Sequence, residues 1–125
     1  MIISIGCDLV EHKVSQKLDW EKDTNVQNRI FSLKELQLYS ETKQLRFLSG
    51  RFAAKEAILK CLSIGMEDGI SLTDIEILQT ANGSPYINLN RKPLQLSNEL
   101  GIIRWHISIT HSSSFSQAFV IGEGL

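Results

Sequence analysis

The sequence predicts an α+β domain in which a largely antiparallel sheet packs on one long central helix, with shorter helices around it. Three observations carry that prediction. The stretch LSGRFAAKEAILK, Leu48 to Lys60, is built from strong helix formers, with only Gly50 against them. Two segments, IIRWHISIT at Ile102–Thr110 and SQAFVI at Ser116–Ile121, read as a strand and its return. The candidate elements run in the order strand, helices, hairpin, helix, hairpin, with no internal repeat and no low-complexity segment. A single domain over residues 1–125 is long enough to close its own core.

Taken in order, Met1 to Cys7 (MIISIGC) is rich in Ile and reads as a strand that ends at Asp8. Gly6 permits a close backbone approach or an unusual dihedral just before that acid. Lys13 to Asn28 is polar and mixed in charge, which suits a short helix and then a loop. Ser32 followed by Glu35 is a capping box, so a helix starts there and runs to about Glu41, with Leu33, Leu36 and Tyr39 facing inward. On the central helix Leu45, Leu48, Phe52 and Leu59 gather on one side, and Gly65 marks its stop after Ile64. Met66 to Gly69 then reads as a loop.

Ser71 to Leu78 alternates with one slip between Leu72 and Ile75, which predicts a bulge or a late strand start. Asn82, Gly83, Ser84 and Pro85 turn the chain into a second strand, Tyr86 to Leu89. Leu94 to Leu100 reads as a short helix stopped by Gly101. His111 to Ser114 is the polar tip of the last hairpin.

Composition sets limits. A net charge of -1 gives no global basic field for nucleic acid. Cys7 and Cys61 have no metal-like spacing and read as reduced thiols. No run approaches the roughly 18 apolar residues of a membrane span, and no secretory signal opens the chain. A cytoplasmic setting is the default expectation.

Three constellations could carry chemistry. Asp8 and Glu56 are carboxylates far apart in sequence, one on a strand and one at the edge of a helix stripe, and such a pair can share a hard cation. Mg²⁺ typically takes one or two protein carboxylates and fills its octahedron with phosphate oxygens and water. The plainer reading of Glu56 is an i,i+4 pair with Lys60, worth about 0.2–0.5 kcal/mol. Arg46, Arg51, Lys55 and Lys60 form a basic set along the same helix, suited to a polyphosphate beside a metal or to a solvated face. Ser108, Thr110, His111, Ser112, Ser113 and Ser114 gather hydroxyls around one histidine, which can act as a base or hold a phosphate, or simply mark a turn. His106, beside Trp105 in a strand, reads as structural. No serine hydrolase elbow, Walker loop or paired CxxC is present.

Five blocks together resemble the holo-[acyl-carrier-protein] synthases, small bacterial 4'-phosphopantetheinyl transferases: IGCDLVE at Ile5–Glu11, FLSGRFAAKEAILK at Phe47–Lys60, SLTDIEI at Ser71–Ile77, GSPYINL at Gly83–Leu89 and HISITHS at His106–Ser112. They lie in the family's order and span nearly the whole chain. The resemblance implies a 4'-phosphopantetheinyl transferase-like fold and transfer of the phosphopantetheine arm of coenzyme A to a serine of an apo acyl carrier protein, with release of 3',5'-ADP.

The resemblance also implies roles. Asp8 and Glu56 match the family's Mg²⁺ ligands. The family is typically a homotrimer with each active site at a subunit boundary. The turn at His111 and Ser112, with Thr110 before it, lies on the nucleotide side, and Gly83, Ser84 and Pro85 match a turn near the nucleotide. On that reading Lys60 stabilises phosphate charge and Arg46 or Arg51 holds the 3'-phosphate. The attacking serine's proton has two candidate acceptors, a metal-activated water and His111. Lys13, Lys17 and Arg29 are the candidate docking residues for an acidic carrier. Cys7, Val14, Ser15 and Ser84 depart from the family pattern, which commonly has another small or apolar residue, an Arg-Ile pair and a Gly-Lys-Pro turn at those places. The last two changes bear on carrier docking and on coenzyme A affinity; none removes a metal ligand. Two other functions compete: a different metal-dependent phosphoryl enzyme, such as a pyrophosphohydrolase or nuclease, and a non-catalytic relative that binds carrier proteins.

Overall fold

A computed structural model describes residues 1–64 and 69–125. Strand β1 (Ile2–Glu11) leads into helices α1 (His12–Lys17), α2 (Thr24–Ile30), α3 (Leu33–Thr42) and α4 (Leu45–Cys61). Then come β2 (Ile75–Gln79), β3 (Pro85–Leu89), α5 (Arg91–Glu99), β4 (Arg104–His111) and β5 (Phe115–Glu123). The strands form two antiparallel sheets, one in the order β1-β5-β4 and one made of β2 and β3. Alternation along β5 turns Ser116, Ala118, Val120 and Gly122 inward and leaves Phe115 and Phe119 outside.

Helix α4 lies against the inward face of the larger sheet. Twelve of its seventeen residues are buried, so it is a core helix enclosed on most of its circumference rather than a surface helix with one apolar stripe. Of the expected stripe, Leu48 and Leu59 are buried and Leu45 and Phe52 half-buried, while Ala53, Ala54, Ala57 and Ile58 are fully enclosed. The small residues set the spacing. A Cβ on Gly6 would lie 2.0 Å from the Ala57 carbonyl oxygen, so β1 runs directly against the helix backbone. Close approach is therefore what Gly6 provides. Gly6→Ala is expected to cost about 3 kcal/mol, the upper end of overpacking losses, because the obstacle is backbone and cannot swing aside. A denaturant midpoint close to wild type would show that the two elements can separate freely.

Several boundaries differ from the sequence expectation. Strand β1 continues through Asp8 to Glu11, because pairing with β5 persists to Glu11 and Phe115, so Asp8 sits within the strand rather than at its end. The polar segment after it holds two helices, the second started by Asp23, whose side chain accepts from the Asn25 and Val26 amides. The late strand start is borne out, since a 3₁₀ turn at Leu72–Asp74 precedes β2. Helix α5 begins at Arg91, with Pro93 in its first turn, and Gly101 follows its end at φ +80°. Helix α4 ends at Cys61 rather than near Ile64. The expected stop at Gly65 and the loop residues Met66 to Asp68 lie outside the described residues.

The capping box at Ser32 and Glu35 is present, and Leu36 and Tyr39 pack against the core as expected, but the fully buried residue of α3 is the acid itself. Leu33, expected to face the core, is 82% exposed, whereas Glu35 is fully buried. Lys55, one of the basic set expected to meet polyphosphate, is fully buried too. Its Nζ donates to Glu35 Oε1 at 2.6 Å, to Leu72 O at 2.8 Å and to Ile75 O at 2.6 Å. Glu35 Oε1 also accepts from the Ser32 amide, and its Oε2 from the Ile77 amide. One satisfied charge pair thus ties α3 and α4 to the start of the smaller sheet.

Candidate active site

Two clefts carry the residues singled out from the sequence. Asp8 and Glu56 line the first, a cavity of about 610 Å³ whose apolar wall includes Leu9, Phe52 and Phe115. Asp8 is brought there by the Gly6–Ala57 approach, since Gly6 and Asp8 are on the same side of β1. Burial raises the Glu56 carboxyl above the ordinary carboxylate range; the Asp8 charge adds to this and Lys60 opposes it. The two acids therefore feel one another. Lys60 Nζ donates to Asp8 Oδ1 at 3.2 Å and to Cys7 O at 2.8 Å. The plain i,i+4 pairing of Lys60 with Glu56 gives way to a bond across to the strand, made by a cation already drawn to the acid pair.

That donor set suits a hard divalent ion. Among the described residues no cluster of three or more His, Cys, Asp or Glu side chains is present, and a pair of carboxylates open to a cleft is what Mg²⁺ takes when phosphate and water complete its shell. The mutual repulsion within the pair is the feature a cation would relieve.

The second cleft is basic. Arg46, Arg51, Thr110 and His111 line a cavity of about 420 Å³ together with Phe47. Arg51 is 8% exposed, yet among the described residues no carboxylate pairs with it. Its Nη2 donates to Gln79 Oε1 at 3.0 Å, its guanidinium carbon lies 3.6 Å from the Phe47 ring centroid, and its buried Nε has no partner among the described residues. Burial lowers its pKa to about 10, an effect the Glu35 charge partly offsets. A buried, unneutralised guanidinium is costly and points to an anion. Arg46 is exposed and donates from Nε to Gln44 Oε1 at 2.8 Å.

His111 packs over α4 where Gly50 leaves room: a Cβ there would come within 2.7 Å of His111 Cε1. The one weak helix former in the central stretch is thus the seat of the histidine. Burial, then Arg46, His12 and Arg51, lowers the His111 imidazole below its ordinary value. His12, Arg46, Ser112 and Ser113 line an adjoining cavity. The Ser112 hydroxyl accepts from the Ser114 and Phe115 amides, so its lone pairs serve the hairpin turn.

The structure brings Asp8, Glu56 and Lys60 together, and separately Arg46, Arg51, Thr110 and His111. Gly83, Ser84 and Pro85 line neither cavity. Gly83 turns the hairpin at φ +85°, and Pro85 pairs with Gln79, the residue that holds Arg51. Lys13 and Lys17 lie together along a shallow groove on α1 with Val14, and Arg29 is exposed in the last turn of α2. His106 bonds Glu123 at 2.9 Å, outside both clefts. Sequence reasoning missed Gln79, Phe47, His12 and Ser116. Only Ser116 had a signal, because the hairpin register sets it opposite His111.

The family model described as the 4'-phosphopantetheinyl transferase superfamily matches residues 4–120, from β1 into β5. The chain belongs to that superfamily. Both clefts of this superfamily member fall within the matched span. The holo-[acyl-carrier-protein] synthase of Hydrogenovibrio crunogenus is 39% identical over 124 residues, 98% of each chain. The crystal structure of the Neisseria meningitidis synthase superposes with a TM-score of 0.88 at 30% identity, covering 98% of this chain and 99% of that one. A Bacillus anthracis synthase solved in complex with CoA (3',5'-ADP) superposes with a TM-score of 0.81 at 29% identity, covering 100% and 99%. The expected fold, α+β with antiparallel sheets, is that of these relatives.

Proposed function

We propose that this transferase moves the 4'-phosphopantetheine group of coenzyme A to a serine of an apo acyl carrier protein and releases 3',5'-ADP. The observation that carries this reading is the buried Arg51, with no ion-paired carboxylate among the described residues, in a basic cleft on the same helix that carries Glu56 to the acid pair. One helix thereby presents an anion site and a cation site, as a nucleotide diphosphate with a metal requires.

In this reading Asp8 and Glu56 hold Mg²⁺, which when bound offsets the charge of the diphosphate. Arg46 and Arg51 hold the 3'-phosphate, with Thr110 and the Gly83–Pro85 turn flanking the nucleotide. Lys60 neutralises phosphate charge from the rim of the acid cleft. The serine's proton has two candidate acceptors, a metal-activated water and His111, and His111 can serve only while its Nε2 carries no hydrogen. The bond that breaks is the phosphoanhydride P–O bond of coenzyme A, with 3',5'-ADP leaving on the bridging oxygen of its 5'-phosphate; the attacking serine oxygen forms the new bond to the phosphopantetheine phosphorus as its proton departs.

The homotrimer belongs to the same proposal. Ile5, Leu9, Phe115 and Phe119 are exposed on the outer face of the larger sheet. Leu9 and Phe115 also line the acid cleft, so a second copy covering that face would wall the site. The setting is cytoplasmic in this reading, with Cys7 and Cys61 as free thiols. Among the described residues no helix is long and apolar enough to cross a membrane.

Mass spectrometry of an apo carrier incubated with coenzyme A, Mg²⁺ and the protein tests the function. A carrier heavier by one phosphopantetheine supports it. Coenzyme A consumed beside an unmodified carrier indicates a hydrolase, and no change in either indicates a non-catalytic binder. Lys13→Glu is expected to weaken carrier binding by about tenfold and coenzyme A binding far less, because Lys13 lies on the α1 groove, which borders the acid cleft at Glu11 and Val14, and itself lines neither cleft. Equal losses for the two ligands, read by titration calorimetry, would argue against a separate docking surface.

A further inference from the structure

His12 and Ser116 have no place in the reading above, yet they form one continuous hydrogen-bonded chain with His111. His12 Nδ1 meets the Ser113 carbonyl at 3.2 Å, His12 Nε2 meets Ser116 Oγ at 2.8 Å, and Ser116 Oγ meets His111 Nδ1 at 2.8 Å. Ser116 is fully buried, and the His12 amide also donates to Ser114 O at 2.8 Å, so α1 is stapled to the hairpin tip that carries His111.

The proton positions follow from donor and acceptor chemistry. A carbonyl only accepts, so His12 Nδ1 carries a hydrogen. With His12 neutral, its Nε2 is a bare acceptor, and the Ser116 hydroxyl must donate to it. That hydroxyl's one hydrogen is then used, so Ser116 Oγ accepts from His111 Nδ1–H. His111, if neutral, is left with an unprotonated Nε2. Arg46 and Arg51 face His111 from α4 and His12 faces it from α1; all three lower its pKa, as does burial. A bare nitrogen is suited to that positive surrounding and unsuited to a phosphate oxygen, which needs a donor.

We propose that His12 and Ser116 are positioning residues for His111: they hold its Nε2 unprotonated in the ligand-free protein, and a phosphate monoester entering between Arg46, Arg51 and His111 draws one proton into the chain. The proton balance is explicit. A solvent proton adds at His111 Nε2, the His111 Nδ1 proton passes to Ser116 Oγ, and the Ser116 hydroxyl proton passes to His12 Nε2. The product has His111 Nε2–H donating to phosphate and the added charge on His12. No bond between heavy atoms changes. The coupling rests on the assignment of the basic cleft to a nucleotide phosphate; the tautomer does not.

Two measurements test this. In ¹⁵N-histidine-labelled wild type at about pH 8, long-range proton–nitrogen correlations are expected to place the His111 hydrogen on Nδ1. Ser116→Ala, nearly unchanged in volume, and His12→Ala are each expected to move it to Nε2. A wild-type hydrogen on Nε2 overturns the proposal. Calorimetric titration with 3',5'-ADP at that pH, where its phosphates are already ionised, is then run in buffers of different ionisation enthalpy. About one proton taken up per nucleotide is expected, with affinity falling about tenfold per pH unit upward. In both variants uptake falls well below one and the pH dependence flattens. Binding without uptake in wild type overturns the coupling. Absence of binding at every pH removes the coupling together with the nucleotide assignment of the cleft, and leaves the role of His12 and Ser116 to be decided by the tautomer alone.

Discussion

Glu56→Gln is expected to lower phosphopantetheine transfer by at least about 100-fold while leaving the fold intact. Changing groups that only support a metal ligand typically costs 10–100-fold, so loss of a ligand itself should cost no less. The fold is spared for a reason visible in the site. Glu56 is half-buried, and burial and the Asp8 charge both penalise its ionised form. Glutamine keeps the shape, removes that penalty and leaves Lys60 bonded to Asp8. Turnover measured by mass gain on the carrier, alongside a thermal melt by circular dichroism, checks both halves. Near-normal turnover would take Glu56 out of the mechanism, and a melt far below wild type would make it structural.

Lys55→Met is expected to give the largest loss of stability, about 3–5 kcal/mol, because it leaves the Glu35 charge buried without its partner. The two carbonyls that Lys55 satisfies, of Leu72 and Ile75, lose their side-chain donor as well. Removing both charges, as Lys55→Met with Glu35→Leu, is expected to recover only part of the loss. Glu35 also accepts from the Ser32 and Ile77 amides, and leucine offers them nothing. Chemical denaturation of the single and double variants measures this. A double variant as stable as wild type would mean that the backbone groups find other partners.

Lys55 also shows where the sequence stops being legible. In LSGRFAAKEAILK it stands beside Glu56 and between other basic residues, and spacing along the helix cannot tell a buried lysine from a solvent-facing one. The deciding partner, Glu35, is twenty residues away and was itself visible only as half of a capping box. Capping is a local interaction, so the box was readable; burial of the same carboxylate depends on how α3 meets α4. Leu33 failed in the opposite direction. Its apolar side chain suggested an inward face, but Glu35 occupies it. The strand end placed at Asp8 was misjudged for a similar reason, since pairing with β5 carries the strand past the acid through Leu9 and Val10 to Glu11.

What the sequence determined by itself was local or compositional: the helix over the central block, the final hairpin, the capping box, the late start of β2, and five blocks specific enough to indicate the superfamily. Tertiary structure alone decided the rest. It put Asp8 next to Glu56 through the missing side chain of Gly6, seated His111 in the gap left by Gly50, and buried Arg51 without an ion pair to any carboxylate among the described residues. These outcomes depend on distances between elements remote in the chain. Backbone contact at 2.0 Å from an imagined Cβ is a property of two packed elements, and neither sequence segment encodes it alone.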